Sequence, residues 1–151
     1  MIPFRLSIIT SDSELISREL MKSNQMFLNS LYQIKQILTE GNGSKFSVKI
    51  ELNPSHEIFN GHFPGNPILP GVCMVQIMKE LLINYSHCKL ILKNAGSIKY
   101  LYFIDPLVNN IINFNIEMDK TENGDISCKA TLNSESVVFC RFKGEFKVST
   151  E

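Results

Sequence analysis

The chain has 151 residues, 44% of them hydrophobic and 20% charged, with Lys plus Arg and Asp plus Glu at 15 each. That length suits one domain that buries about two thirds of the surface its unfolded form exposes. Balanced charge gives no net field toward nucleic acid or an anionic membrane, so any partner must bind through a local patch.

Residues 1–25 read as an N-terminal extension. Their apolar start is interrupted by Arg5 and Ser7 and runs into Asp12, Glu14, Arg18 and Glu19, without a small-residue cleavage site, which argues against a secretory signal. Met26 is an alternative start, an expectation that fails if deleting residues 1–25 destroys folding or activity. No apolar run approaches the ~20 residues needed to span a bilayer, so membrane insertion is not expected.

A mixed strand is expected over residues 31–39, followed by a Gly41-Asn42-Gly43 turn. Phe46, Val48, Ile50 and Leu52 then alternate with Lys45, Ser47, Lys49 and Glu51, the period of a strand with one buried face. Residues 53–71 form a long connection holding four of the six prolines and three of the eight glycines. Loops of this length in compact domains are functional or disordered. Ile58, Phe59, Phe63, Ile68 and Leu69 give this one apolar anchors, so it is expected to hold a shape.

Residues 70–86 are apolar around most of a helical circumference, which predicts a buried helix with Pro70 in its first turn. Gln76, Lys79, Glu80, Asn84 and His87 recur at three- and four-residue steps as a polar stripe. Residues 98–104 are a second mixed strand. Ile112, Phe114, Ile116 and Met118 alternate, as do Ile126, Cys128, Ala130 and Leu132, and then Val138, Cys140, Phe142, Phe146 and Val148, with Gly144 as a bend or bulge. Asn123-Gly124 and Asn133-Ser134 supply tight turns. One helix wrapped by a curved antiparallel sheet, an α+β fold, is the simplest way to bury both.

Cys73, Cys88, Cys128 and Cys140 match neither a CxxC redox pair nor a zinc knuckle, and are expected as reduced core thiols of a cytoplasmic protein, with no metal.

The run from His56 to Val72, His-Glu-Ile-Phe-Asn-Gly-His-Phe-Pro-Gly-Asn-Pro-Ile-Leu-Pro-Gly-Val, resembles the signature of the FabA/FabZ-type (3R)-hydroxyacyl-[acyl carrier protein] dehydratases. The resemblance extends from about Met26 to Val148 and includes the segment from Ile98 to Leu107. It implies the hotdog fold for residues 26–151. It also implies a homodimer, or a higher oligomer, in which the acyl chain lies in a tunnel at the subunit interface. There the histidine of one subunit faces an acidic residue of the other, and no cofactor is required.

Dehydrating a 3-hydroxyacyl thioester needs a base for the C2 proton, a donor for the developing enolate oxygen and an acid for the departing hydroxyl. His62 is the candidate base, because a histidine titrates near neutrality. Gly71 is the carried-over donor, its amide lying at a helix start where the dipole favours negative charge. Phe63, Val72 and Glu80 complete the expected substrate-binding set. Gln76, fourteen residues after His62, stands where the family has Glu or Asp. An amide can orient a hydroxyl or a water but cannot release a proton at neutral pH.

Glu80, one turn further along the helix, is the alternative acid, unless it pairs with a surface lysine; His56 is expected to be structural and His87 to sit at the helix end. Three functions stay open. They are an acyl-carrier-protein dehydratase of fatty-acid or polyene synthesis, a hotdog thioesterase, and a non-catalytic acyl-binding subunit. An acyl carrier protein would dock on basic residues, with Lys93, Lys99 and Arg141 as candidates.

Overall fold

The structure is a computed structural model and describes residues 26–60 and 65–149. Six strands follow one another as β1 (Tyr32–Glu40), β2 (Lys45–Leu52), β3 (Lys89–Tyr100), β4 (Ile111–Lys120), β5 (Ile126–Asn133) and β6 (Val138–Ser149), with helix α1 (Gly71–Ser86) between β2 and β3. They form one antiparallel sheet in the order β1-β2-β4-β5-β6-β3. The connection through α1 therefore carries the chain from near one edge of the sheet to the opposite edge. This is the hotdog fold.

Alternation explains the wrapping. Phe46, Val48, Ile50 and Leu52 of β2 are buried, as are Ile112, Phe114 and Ile116 of β4, Ile126, Cys128, Ala130 and Leu132 of β5, and Cys140, Phe142 and Phe146 of β6. They share one face of the sheet because successive side chains point to opposite sides. Every residue of α1 from Cys73 to Leu82 is buried against them. Each large apolar side chain so covered contributes about 1.5–3 kcal/mol. The far end of α1 is fixed by Tyr85, whose ring stacks on Phe46 at 3.7 Å and whose hydroxyl donates to the Gly43 carbonyl at 3.0 Å. The helix stops at His87, which turns left-handed at φ 59° with its N–H on the Ile83 carbonyl.

Two expectations need correction. Pro70 caps α1 from outside in an extended conformation (φ −61°, ψ 144°), and the helix begins at Gly71. The strand expected over residues 98–104 is β3, which starts nine residues earlier at Lys89 and ends at Tyr100. Register shifts between Leu92 and Asn94, and between Asn94 and Ser97, break its period of two, so the sequence hides its first half. Within the polar stripe of α1, Gln76, Lys79 and Glu80 are all buried. Residues 26–32 lie over it, with Phe27, Leu31 and Tyr32 in the core.

Gly144 sits opposite the β3 irregularity. A Cβ there would collide with the Asn94 carbonyl oxygen and lie 2.8 Å from Phe142 Cζ. Gly144→Ala is expected to cost about 1–3 kcal/mol, as overpacking does, measured as a lowered urea midpoint; an unchanged midpoint would show that the bulge yields freely.

The expected thiols at Cys73, Cys128 and Cys140 are buried and unpaired, and burial pushes those of Cys128 and Cys140 up to about 12. Among the described residues no helix is long and apolar enough to cross a membrane.

Candidate active site

Residues 61–64, which include His62 and Phe63, lie outside the described residues, as do residues 1–25. The elements on either side of the loop are in place. Before it, residues 57–59 form a 3-10 turn capped by His56, whose Nδ1 accepts the Ile58 N–H at 3.0 Å. The same ring meets Phe27 edge-on at 5.9 Å, and burial lowers its pKa, opposed by Glu57. His56 is thus held neutral in a structural role. After the loop, Gly65 takes φ 82°, and the buried Leu69 donates its N–H to the Ile104 carbonyl at 2.9 Å, fixing the approach to α1.

Pro70, the residue before α1, supplies no side-chain cap. Gly71 and Val72 occupy its first two positions, where amides have no intrahelical acceptor and the dipole favours negative charge. Tyr100, at the end of β3, rests on Gly71: a Cβ on that glycine would lie 2.5 Å from Tyr100 Cζ and 2.7 Å from its hydroxyl oxygen. Burial, with Cys140 and Cys73 nearby, pushes that hydroxyl upward in pKa, so it stays a neutral donor. Gly71→Ala must displace the end of one side chain rather than backbone, so stability is expected to fall by less than about 2 kcal/mol. Urea unfolding measures this, and a larger loss would show that the Tyr100 ring does not yield.

One turn into the helix, Gln76 donates from Nε2 to Glu80 Oε2 at 2.8 Å. Glu80 is fully buried, and its carboxylate also accepts the Phe27 N–H at 3.1 Å, the Leu28 N–H at 2.8 Å and the Tyr32 hydroxyl at 3.1 Å. Burial raises the Glu80 pKa despite these donors, of which Gln76 weighs most. Burial likewise lowers Lys79, beside it, against the pull of Glu80. Among the described residues, Glu80 is bound by these buried donors and not by a surface lysine. Its hydrogen bond also fixes which end of the Gln76 amide is donor, leaving the amide oxygen as the acceptor end.

Beside the helix start, residues 101–108 leave the sheet. Leu101 and Tyr102 both donate to the Phe139 carbonyl, at 2.8 and 3.3 Å, while Tyr102, Phe103, Leu107 and Val108 are 65–75% exposed. Four large apolar side chains so exposed within eight residues are unusual on a free surface.

The family model for ApeI-like proteins, described as ApeI dehydratase, matches residues 38–140. The chain belongs to the ApeI-like dehydratase family. The 3-hydroxyacyl-[acyl-carrier-protein] dehydratase FabZ of Clostridium acetobutylicum is 31% identical over 93 residues, 56% of this chain and 64% of that protein. FabZ of Ligilactobacillus salivarius is 45% identical over 38 residues, 25% of this chain and 27% of the relative. The chain thus spans less than two thirds of either. Among solved structures, the dehydratase heterocomplex ApeI:P from Xenorhabdus doucetiae is similar with TM-score 0.56 and 15% identity, covering 76% of this chain and 96% of that one. A hypothetical thioesterase with coenzyme A from Streptococcus pneumoniae is similar with TM-score 0.54 and 12% identity, covering 93% and 97%. At these identities both show the fold alone.

As a member of the ApeI-like family, the chain places Gly71, Val72, Gln76 and Glu80 on one helix beside Tyr100. Sequence reasoning did not single out Tyr32, Phe27, Leu28 or Tyr100. The three groups that donate to Glu80 from residues 27–32 are 48 to 53 positions away in sequence, and no local pattern announces such a contact. The candidate docking cations separate: Lys93 pairs with Asp125 at 3.1 Å, whereas Lys99 and Arg141 are cross-strand neighbours.

Proposed function

We propose that this protein dehydrates 3-hydroxyacyl thioesters carried by acyl carrier protein, with His62 as the base. What supports this most is the start of α1 at Gly71, whose amide has no intrahelical acceptor, directly after the dehydratase-like loop. His62 removes the C2 proton, and the Gly71 amide donates to the thioester oxygen as it gains enolate charge. The C3–O bond then breaks, and the imidazolium returns its proton to the departing hydroxyl, giving water and a 2-enoyl thioester. Gln76, held by Glu80, orients the hydroxyl through its amide oxygen and does not itself supply the proton. Val72 and Phe63 have the role of binding the acyl chain.

Working units are dimers joined edge to edge, and the exposed apolar segment 101–108 suits burial by another chain. A second reading follows from Gln76 together with the dehydratase heterocomplex among the similar structures. In that reading the partner is a different hotdog chain that carries an acid where this one carries Gln76.

The test is an assay with 3-hydroxyacyl and 2-enoyl carrier-protein thioesters. Enoyl formation by the protein alone supports the first reading; enoyl formation only after a second hotdog chain is added supports the second. Release of free thiol without enoyl product selects a thioesterase. Acyl binding with no turnover under either condition leaves an acyl-binding subunit.

A further inference from the structure

Three tyrosines pack on the core, Tyr32, Tyr85 and Tyr100, and two of their hydroxyls have protein partners. Tyr32 donates to Glu80 at 3.1 Å, and Tyr85 to the Gly43 carbonyl at 3.0 Å. The Tyr100 hydroxyl has no hydrogen-bond partner among the described residues. A phenol packed on a core usually finds one. Nor is its oxygen sealed in, because the enclosed side-chain atom without a partner among those residues is Thr121 Oγ1. The core therefore holds the ring while the polar tip stays accessible.

That tip stands beside the helix start. Tyr100 closes the β3 ladder opposite Cys140, and the Leu101 N–H is held by the Phe139 carbonyl at 2.8 Å, so the backbone is fixed on both sides of the ring. The hydroxyl oxygen lies 2.7 Å from the point that a Gly71 Cβ would occupy. Covalent geometry puts that point about 2.5 Å from the Gly71 nitrogen, so the two donors stand no more than about 5 Å apart. Two hydrogen bonds of about 2.8 Å meeting at one oxygen reach across that gap. The missing Cβ of Gly71 is what lets the ring come so close. Burial, with Cys140 and Cys73 nearby, pushes the phenol upward in pKa, so it keeps its proton near neutrality and offers a hydrogen bond, not an acid.

We propose that the Tyr100 hydroxyl is a second donor to the thioester oxygen, beside the Gly71 amide, and so a catalytic residue of the dehydration proposed above, on which its role in turnover rests. As His62 takes the C2 proton, the C2–H electron pair forms a double bond to the thioester carbon, and negative charge gathers on the oxygen. Both hydrogen bonds strengthen there. When the C3–O bond breaks, the pair moves on to join C2 to C3 and the carbonyl re-forms. Tyr100 keeps its proton throughout. Donors already in place before charge develops stabilise it most.

Tyr100→Phe tests this, because it removes the oxygen and leaves the ring on Gly71. No described group loses a partner, so the urea midpoint should not move. Turnover of a 3-hydroxyacyl pantetheine thioester should fall by about 10²–10³, as loss of one such donor does. A second measurement needs no turnover. It is the infrared carbonyl band of a saturated acyl pantetheine thioester, isotope-labelled at the carbonyl, bound to each protein. The band should lie at lower frequency in the native protein than in Tyr100→Phe. Equal turnover in the two proteins, or bands that coincide, overturns the inference while the reaction stands on native activity. If the native protein does not dehydrate but the bands differ, the proposed reaction falls and the donor stands. A native protein that shows no bound thioester band overturns the inference as well.

Discussion

Glu80→Ala is expected to destabilise the protein by about 3–5 kcal/mol, as removal of a buried charged partner does. The reason is the set of donors it abandons. The Phe27 and Leu28 amides, the Tyr32 hydroxyl and the Gln76 amide all point at one fully buried carboxylate. Each donor left without an acceptor costs about 1–3 kcal/mol, partly recovered if water enters the space. Urea unfolding with Tyr32→Phe as a second arm checks the account. That variant removes one donor and should cost about 1 kcal/mol, and the double variant should show clear non-additivity. A Glu80→Ala loss below about 1 kcal/mol would mean that the carboxylate does not hold residues 27–32 to the helix.

The same group gives a pH signature. Folding raises the Glu80 pKa above its ordinary 4.5, so the folded state holds this proton more tightly than the unfolded one. The bound proton therefore contributes stability that is fully present below about 4.5 and is lost as pH rises through the folded value. The stability difference between the native protein and Glu80→Gln should shift against the native protein as pH climbs from 4 toward neutrality. A difference flat in pH would show the carboxyl to be unperturbed.

Gln76→Glu is expected to raise dehydration by about 10²–10⁴, and His62→Ala to abolish it in either background. The first follows from placing a second carboxyl where the Gln76 amide now lies 2.8 Å from Glu80. Two carboxyls so close share a proton, which pushes one pKa up strongly and keeps an acid protonated near neutrality. The cost is stability, because the shared proton replaces a good amide donor. Single-turnover rates on a 3-hydroxyacyl thioester, compared among the four variants of the His62 and Gln76 cycle, measure both effects. A Gln76→Glu protein no faster than the native one would show that His62 alone moves the proton. Retained turnover in His62→Ala would remove the histidine from the mechanism.

Much of this architecture is legible in the sequence because β2, β4, β5 and β6 each keep a strict alternation, and because α1 is apolar nearly all round. β3 escapes because its two irregularities put Asn94 and Gly96 where a reader expects a turn. The burial of the polar stripe on α1 escapes for a different reason. Gln76, Lys79 and Glu80 have helical spacing appropriate to an exposed face, but residues 26–32 close over them, and that contact spans about fifty residues. Periodicity reports which face of an element is polar; it does not report what covers that face. The helix start at Gly71 was visible from its loop, whereas the Tyr100 ring that rests on it was not.

The exposed segment 101–108 has one further effect. Its Ile104 carbonyl holds Leu69, two residues before Gly71, so covering Tyr102, Phe103, Leu107 and Val108 also stiffens the approach to the helix start. In the dimer proposed above, occupancy of that surface and order at Gly71 would be coupled through this bond. Specific activity should then depend on protein concentration, declining on dilution even where every molecule remains folded.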